Sequence, residues 1–234
     1  MERRTLAELL GENAYPGRGI LLGRSRDGDC AVAAYLLTGR SENSRNRRLV
    51  PAEDGVRIEI LDMDRVTDAS LILYHPVRRA GGTTILANGD HADTVRDGLL
   101  AGRTFEESLA RRTFEPDAPH YTPRISGLLG PDGSVQLSIL KRGGEGRCCR
   151  CFYRYDGLPA GEGRFLCTYR GDGDPLPSFQ GEPVRASLEA DGPETLAEEI
   201  WTALDPARRV ALFVRYASLA DGTCRDAIRN EREG

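Results

Sequence analysis

The chain has 234 residues, of which 39% are hydrophobic and 29% are charged, and its formal net charge is −4. These values predict a folded globular protein, within the size of one domain spanning 1–234, rather than a disordered chain. The acidic balance argues against a general nucleic-acid binder. No apolar run approaches the roughly 20 residues that cross a bilayer, and the N-terminus lacks a secretory signal, so we expect a cytoplasmic protein with no membrane or nucleic-acid partner.

The first half of the chain is predicted to consist mainly of strands joined by tight turns. Arg26-Asp27-Gly28-Asp29 has the composition of a hairpin turn between two apolar runs. Periodicity and capping residues predict helices at 3–10, at 93–100 with Asp93 as N-cap, and at 104–112 with Thr104 as N-cap. Strand character is found at 18–25, 30–38, 56–61, 71–77 and 83–87.

The second half has the same style without a detectable repeat. An amphipathic helix is expected at 194–204, and the tail after Asp221 is interpreted as a final helix. Strands are expected at 125–129, 134–140, 147–155, 163–170, 184–188 and 210–216. Many antiparallel strands with a few grouped helices predict an α+β fold with two packed sheets and helices outside them.

An arginine-rich loop at 40–48 follows the second predicted strand. Guanidinium groups bind phosphate through paired hydrogen bonds of fixed geometry, and the loop holds too little apolar sequence to form a core. It therefore predicts a binding site for a phosphate and a ribose, and the alternative is a solvated loop. The polar residues of this loop are Arg40, Ser41, Glu42, Asn43, Ser44, Arg45, Asn46, Arg47 and Arg48.

A second polar turn, at 88–93, joins a predicted strand to a predicted helix. This geometry presents backbone N–H groups and side chains to a ligand. His91 can exchange a proton near neutral pH, and Asp90 or Asp93 could orient it or act as a base. The alternative is that Asp93 only caps the helix and that His91 lies on the surface.

A third segment, at 121–124, precedes a predicted strand. Pro123 restricts Thr122 to extended geometry, so Arg124 projects from a stiff point. Tyr121 offers a phenol and an aromatic face for a base ring. The alternative is a packed tyrosine and a surface arginine.

Cys148 and Cys151 form a CxxC, but there is no second CxxC and no histidine at zinc-ligand spacing. The aromatic neighbours predict a strand with reduced thiols in preference to a zinc site. Phosphate-loop, dinucleotide-binding, zinc-protease and nucleophile-elbow motifs are all missing from the sequence. Position 2 is Glu2, so removal of Met1 would not expose an N-terminal nucleophile.

Ordered motifs between about residue 18 and about residue 140 resemble the stand-alone, archaeal-type IMP cyclohydrolase family. They are Gly23-Arg24-Ser25, Tyr35, Gly39-Arg40-Ser41 with Asn46-Arg47, Asn88-Gly89-Asp90-His91-Ala92-Asp93-Thr94, and Tyr121-Thr122-Pro123-Arg124-Ile125-Ser126-Gly127. The N-terminal helix and the cysteine-rich strand are not parts that we associate with that family.

The resemblance implies a four-layer αββα sandwich like that of N-terminal-nucleophile hydrolases, without their nucleophile. It implies closure of 5-formamidoimidazole-4-carboxamide ribotide to inosine monophosphate with loss of water, and no metal or organic cofactor. The residues it suggests for catalysis are Asp90, His91, Tyr121 and Arg124, and those for substrate binding are Arg24, Arg40, Ser41, Asn46, Arg47, Asn88 and Thr122.

The sequence leaves several points open. The partner is expected to be a small-molecule purine nucleotide, and a homo-oligomer is neither required nor excluded. Two other functions fit the same residues: an amidohydrolase or cyclase acting on a related ribonucleotide, and a nucleotide-binding protein without catalytic activity.

Overall fold

The computed structural model describes residues 4–65 and 72–232, and it is α+β with two antiparallel sheets. The first sheet has six strands in the order β11-β10-β1-β2-β12-β13. They are β1 (Arg18–Arg24), β2 (Cys30–Thr38), β10 (Glu162–Cys167), β11 (Val184–Ser187), β12 (Arg209–Ser218) and β13 (Cys224–Asn230).

The second sheet has seven strands, which follow one another in chain order from β3 to β9. They are β3 (Arg47–Ala52), β4 (Gly55–Ile60), β5 (Val77–Ala80), β6 (Thr83–Ala87), β7 (Arg124–Leu129), β8 (Val135–Arg142) and β9 (Cys148–Tyr155). Every neighbouring pair is antiparallel, so a short turn can join one strand to the next, as it does between β3 and β4 and between β5 and β6.

The main core lies between the two sheets. β1 and β2 are buried along almost their whole length, which explains why both are continuously apolar rather than alternating. Ile20 and Leu22 of β1 face β7 of the other sheet at Gly127, where an added Cβ would come within 2.9 Å of Leu22. The absence of a side chain at Gly127 therefore lets the sheets approach closely at this point.

The helices pack on the outer sides of the sheets. Helices α3 (His91–Leu100) and α4 (Phe105–Leu109) cover the second sheet through an apolar cluster that includes Val95, Phe105 and Leu128. Helices α1 (Leu6–Gly11) and α5 (Pro193–Ala203) cover the first sheet, and α2 (Glu42–Arg45) is a single turn before β3. In the described part of the chain, no helix has the length and apolar character of a membrane span.

Most predicted elements are confirmed within a few residues, including the hairpin of β1 and β2. Its turn uses Gly28 at φ +84°, a conformation that glycine adopts without a Cβ clash. The first helix begins at Leu6, after a capping box formed by Thr5 and Glu8. The predicted residue 3 lies outside the described residues.

Four expectations were wrong. The tail after Asp221 forms β13 instead of a helix, because the open side of β12 offers it a partner along Cys224–Asn230. The described part of 71–77 is turns before Val77, where β5 begins, and residue 71 is outside the described residues. The 40–48 loop contains α2 and the start of β3. Helix α3 begins at His91, so Asp93 lies inside its first turn instead of capping it.

Candidate functional site

Two arginines from different sheets are brought together by the starts of β1 and β3. Arg47 is only 1% exposed, and its Nη1 and Nη2 have no hydrogen-bond partner among residues 4–65 and 72–232. The same holds for the buried Nε of Arg18. Burial lowers the pKa of Arg47, and the nearby positive charge of Arg18 also lowers it. Buried charges are normally paired, so these unpartnered nitrogen atoms are available to an anionic or electron-rich group.

Three tyrosines surround these guanidinium groups. The hydroxyls of Tyr35 on β2 and Tyr74 before β5 are 2.9 Å apart, and both side chains are buried. Burial raises the pKa of Tyr35 well above its ordinary value, so its phenol stays protonated and can donate a hydrogen bond. The third tyrosine of this group is Tyr15, before β1, which is also buried. Its phenol contributes to the electrostatic environment of both Arg18 and Arg47.

Glu115 is a buried carboxyl group beside these arginines. It is 3% exposed, and its Oε1 has no partner within the described part of the chain. Burial raises its pKa, although the positive charges of Arg18, Arg124 and Arg47 oppose that effect. Burial thus favours the protonated form of Glu115, and a carboxyl group can accept a proton and release it again during a reaction. Glu115 therefore has the properties of a proton carrier.

A tight loop after α4 holds Glu115 in this position. The Glu115 N–H donates to the carbonyl of Thr122 at 2.9 Å. The Thr122 N–H donates to Asp117 Oδ1 at 2.6 Å, and the Thr122 hydroxyl bonds to Asp117 and to the Tyr169 hydroxyl. Thr122, predicted to bind substrate, thus closes the loop that carries Glu115.

Arg124 of β7 meets the predicted turn at 88–93. Its Nη1 lies 3.0 Å from Asp90 Oδ1 and 3.3 Å from His91 Nδ1. An added Cβ at Gly89 would lie 2.0 Å from the same Nη1, so the close approach requires glycine. The positive charge of Arg124 also lowers the pKa of Glu115, which connects this cluster with the buried arginines.

His91 is fully buried and held in one neutral form. Its Nε2 lies 3.0 Å from the Ile125 carbonyl and must donate to it, while Nδ1 accepts from Arg124. Burial, followed by the charge of Arg124, lowers the pKa of His91 to about 3. The sequence suggested proton exchange near neutral pH or a surface location for His91, and these buried surroundings fit neither. The surroundings favour a positioning role for His91.

The two aspartates of the turn hold arginines. Asp90 binds Arg112 at 2.5 Å and Arg124 at 3.0 Å. Burial opposes its ionisation, but Arg112 and Arg124 together hold the Asp90 pKa below its usual value, which makes it a weak base. Asp93 accepts from Arg78 Nε at 2.6 Å, in place of the predicted cap.

Three other residues predicted to bind substrate have their polar groups engaged within the protein. Asn88 donates to the Pro123 carbonyl and accepts from the Ile125 N–H, which fastens β6 to β7. Asn46 makes the equivalent pair of bonds with the backbone of Asp62. Ser41 caps α2 through a capping box with Ser44. These contacts explain their polarity without a ligand.

Arg24 lies apart from the buried arginines, and the ring of Tyr121 is packed against neighbouring side chains. Arg24 is at the far end of β1 from Arg18, six residues or about 20 Å along the strand, and its Nε donates to the Gly28 carbonyl. Tyr121 has φ +45°, and its ring packs between Arg142 and Phe114. It lines an open depression of about 430 Å³ that also includes Arg142.

Cys148 and Cys151 lie on opposite faces of β9. Cys148 packs against the cluster under α3 and α4, and Cys151 packs against the core between the sheets. Side chains that point to opposite faces of a strand cannot share one metal ion, so the CxxC does not form a site. The described cysteines all carry free thiols.

Sequence reasoning missed Arg18, Glu115 and Tyr74. Arg18 had one local signal, a charged residue at the start of an apolar strand. Glu115 had only its position between Phe114 and Pro116, which sets it apart from surface acids only weakly. These residues come from separate parts of the chain, and only the fold brings them together.

Comparison with known proteins gives a consistent result. A sequence model of the family described as "IMP cyclohydrolase-like protein" matches residues 15–222. An IMP cyclohydrolase of Halobacterium salinarum is 26% identical over 219 residues, which cover 92% of this chain and 93% of the relative. An IMP cyclohydrolase of Methanothrix thermoacetophila is 29% identical over 52% of this chain and 60% of the relative. One of Methanocaldococcus jannaschii is 27% identical over 49% of this chain and 56% of the relative.

The family match extends the resemblance beyond the motifs seen in the sequence. It includes Glu115 and the cysteine-rich strand β9, while α1 lies outside it. A match from residue 15 to residue 222 covers far more than half of the chain, and the protein therefore belongs to the IMP cyclohydrolase-like family.

Proposed function

We propose that the protein is an IMP cyclohydrolase, which closes 5-formamidoimidazole-4-carboxamide ribotide to inosine monophosphate and releases water. The observation that carries this proposal is the buried Glu115, with a raised pKa, surrounded by the charges of Arg18, Arg47 and Arg124. Family membership and relatives named IMP cyclohydrolase support the choice of reaction.

The ring closure joins two groups of one molecule, so positioning supplies much of the rate enhancement. The carboxamide nitrogen attacks the formyl carbon, and the formyl oxygen gains negative charge. We assign stabilisation of that charge to the unpartnered guanidinium atoms of Arg18 and Arg47 and to the Tyr35–Tyr74 hydroxyl pair. Tyr121, packed against Arg142, is not assigned to this role.

One proton carrier can serve both proton transfers of the reaction. The attacking nitrogen loses a proton and the formyl oxygen gains one, which gives a hydroxyl on the new ring. That hydroxyl then leaves as water with the proton of the former formamide nitrogen, and the carbon–nitrogen double bond forms. We assign both relays to Glu115, because its pKa is raised. Asp90 and His91 then serve to hold Arg124.

The fold implied by the resemblance also fits this assignment. Helices on the outer side of each of two packed sheets support a four-layer αββα arrangement in one domain over 1–234. Its likeness to N-terminal-nucleophile hydrolases stays a prediction, as does the cytoplasmic location, and the oligomeric state stays open.

The test is conversion of the purified formamido ribotide, followed by the ultraviolet absorbance of the purine ring. Wild-type protein should turn it over, with no change in rate when a chelator is added. Glu115→Gln should lower kcat by about 10²–10⁴-fold. Glu198→Gln, an exposed glutamate on α5, is the matched control and should keep the wild-type rate. Binding of the ribotide by folded wild type without turnover would favour the non-catalytic alternative.

A further inference from the structure

Two arginines lie beside Tyr15, outside the buried cluster. The guanidinium carbon of Arg40 is 5.3 Å from the centre of the Tyr15 ring, and that of Arg208 is 5.7 Å from it. Arg40 follows β2, and Arg208 precedes β12. The Gly39 N–H donates to the Arg208 carbonyl at 2.8 Å, which fixes the two segments together.

Asp172 bridges these two arginines. Its Oδ1 is 3.0 Å from Arg40 Nη1, and its Oδ2 is 2.7 Å from Arg208 Nη2. The Arg208 hydrogen bond holds the Asp172 pKa below its usual value, so the bridging group is a carboxylate. All three side chains are about one third exposed, at 33%, 34% and 28% for Arg40, Asp172 and Arg208.

Asp172 belongs to a glycine-rich loop that rests on the same arginine. Arg40 Nη1 also approaches the Gly173 carbonyl at 3.4 Å, and Arg40 Nη2 lies 3.3 Å from His120 Nε2. The His120 Nδ1 accepts from the Leu176 N–H at 3.2 Å. A neutral imidazole has one acceptor nitrogen, so it cannot satisfy both donors at once. While His120 accepts from Leu176, Arg40 Nη2 therefore has no acceptor in the neutral imidazole, and this donor stays available to another group.

Tyr15 connects this outer pair with the buried arginines. Its side chain is buried and stacks on Tyr169, with ring centres 5.8 Å apart. Tyr169 in turn bonds to Thr122 at the base of the Glu115 loop. A bound nucleotide with its base beside Glu115 could thus extend its phosphate along Tyr15 towards Arg40 and Arg208.

We propose that Arg40 and Arg208 form the phosphate subsite of the nucleotide site, and that Asp172 occupies this subsite as an internal anion until a phosphate displaces it. This inference rests on the proposed function, because it assumes a nucleotide bound with its base beside Glu115. The carboxylate spans two guanidinium groups, as a phosphate would, but a phosphate has more charge and a further oxygen. The loop carrying Asp172 must move away when substrate binds.

The experiment compares the dissociation constants of inosine monophosphate, inosine and inorganic phosphate by calorimetry. Arg208→Gln should weaken binding of the nucleotide by about tenfold or more, the effect of losing a charged hydrogen bond, and leave inosine unchanged. Asp172→Asn should tighten binding of the nucleotide several-fold, and this gain should vanish in the Arg208→Gln background. Arg209→Gln, which removes a neighbouring arginine that pairs with Glu231, is the matched control.

Equal affinities of wild type for the nucleotide and for inosine would overturn the subsite. So would an Asp172→Asn effect of the same size with and without Arg208. Inorganic phosphate that binds with the same response to both variants would support an anion site that recognises phosphate on its own.

The turnover assay separates this inference from the proposed function. If the nucleotide binds with the expected pattern but the formamido ribotide is not cyclised, the cyclohydrolase assignment fails and the subsite stands. If wild type cyclises the ribotide and neither variant changes nucleotide affinity, the subsite fails and the cyclohydrolase assignment stands.

Discussion

His91 should make the free energy of unfolding depend on pH in a window where most other groups do not titrate. Its pKa falls from 6.5 to about 3 on folding, because burial and Arg124 disfavour the charged form. The folded state therefore binds fewer protons, and the stability that is present above pH 6.5 is lost as the pH falls. One pKa unit corresponds to about 1.4 kcal/mol, so lowering the pH from 7 to 5 should remove about 2 kcal/mol through His91 alone.

Urea denaturation at pH 7 and at pH 5 measures this loss for wild type and for His91→Gln. Glutamine keeps a donor for the Ile125 carbonyl but does not titrate, so most of the pH dependence between these values should disappear. The quantity compared is the change in unfolding free energy between the two pH values, so a lower stability of the variant at pH 7 does not affect the comparison. His75→Gln is the control, since burial lowers the pKa of His75 too but that side chain is partly exposed. If wild type and His91→Gln lose equal free energy, the buried neutral imidazole is refuted.

Three further predictions concern the residues around Glu115 and Arg124. The acid limb of the wild-type kcat/KM profile should have its midpoint above about 4.3, the ordinary glutamate value, since burial raises the Glu115 pKa; a midpoint at or below that value contradicts the role of base. Gly89→Ala should lower kcat by about tenfold or more with a stability change under about 1 kcal/mol, because the new methyl group displaces only the flexible end of Arg124. Kinetics and urea denaturation measure the two effects, and an unchanged kcat would contradict this prediction. Asp93→Ala should keep kcat and lower the free energy of unfolding by about 1 kcal/mol or less through loss of the contact with Arg78, and loss of activity in stably folded protein would refute that structural role.

The sequence predicted local features better than distant contacts. The hairpin of β1 and β2 depends on a four-residue turn with glycine at positive φ, and such a turn is visible in the sequence. The tail at 224–230 is different, because its strand conformation comes from pairing with β12. Its short periodic pattern does not distinguish a strand from a helix.

The candidate site shows the same division. The turn at 88–93 and Arg124 were identified from their motifs, and the structure brings them together. The roles of individual polar residues could not be predicted, because Asn46 and Ser41 bond to nearby backbone instead of facing the buried arginines. Glu115 could not be distinguished from surface acids, because its raised pKa results from burial that only the folded chain provides.

The buried pair Arg18 and Arg47 also links folding to the anions in solution. The two buried guanidinium groups repel each other, and burial disfavours the ionised form of Glu115, the carboxyl group beside them. An anion that binds between the arginines removes part of that repulsion. An anion that binds only the folded state adds about 2.7 kcal/mol of stability when its concentration is 100 times its dissociation constant. Thermal stability measured in phosphate or sulfate should therefore exceed that measured in chloride at equal ionic strength. For the same reason, nucleotide pools in the cell would act as folding ligands for this chain as well as substrates.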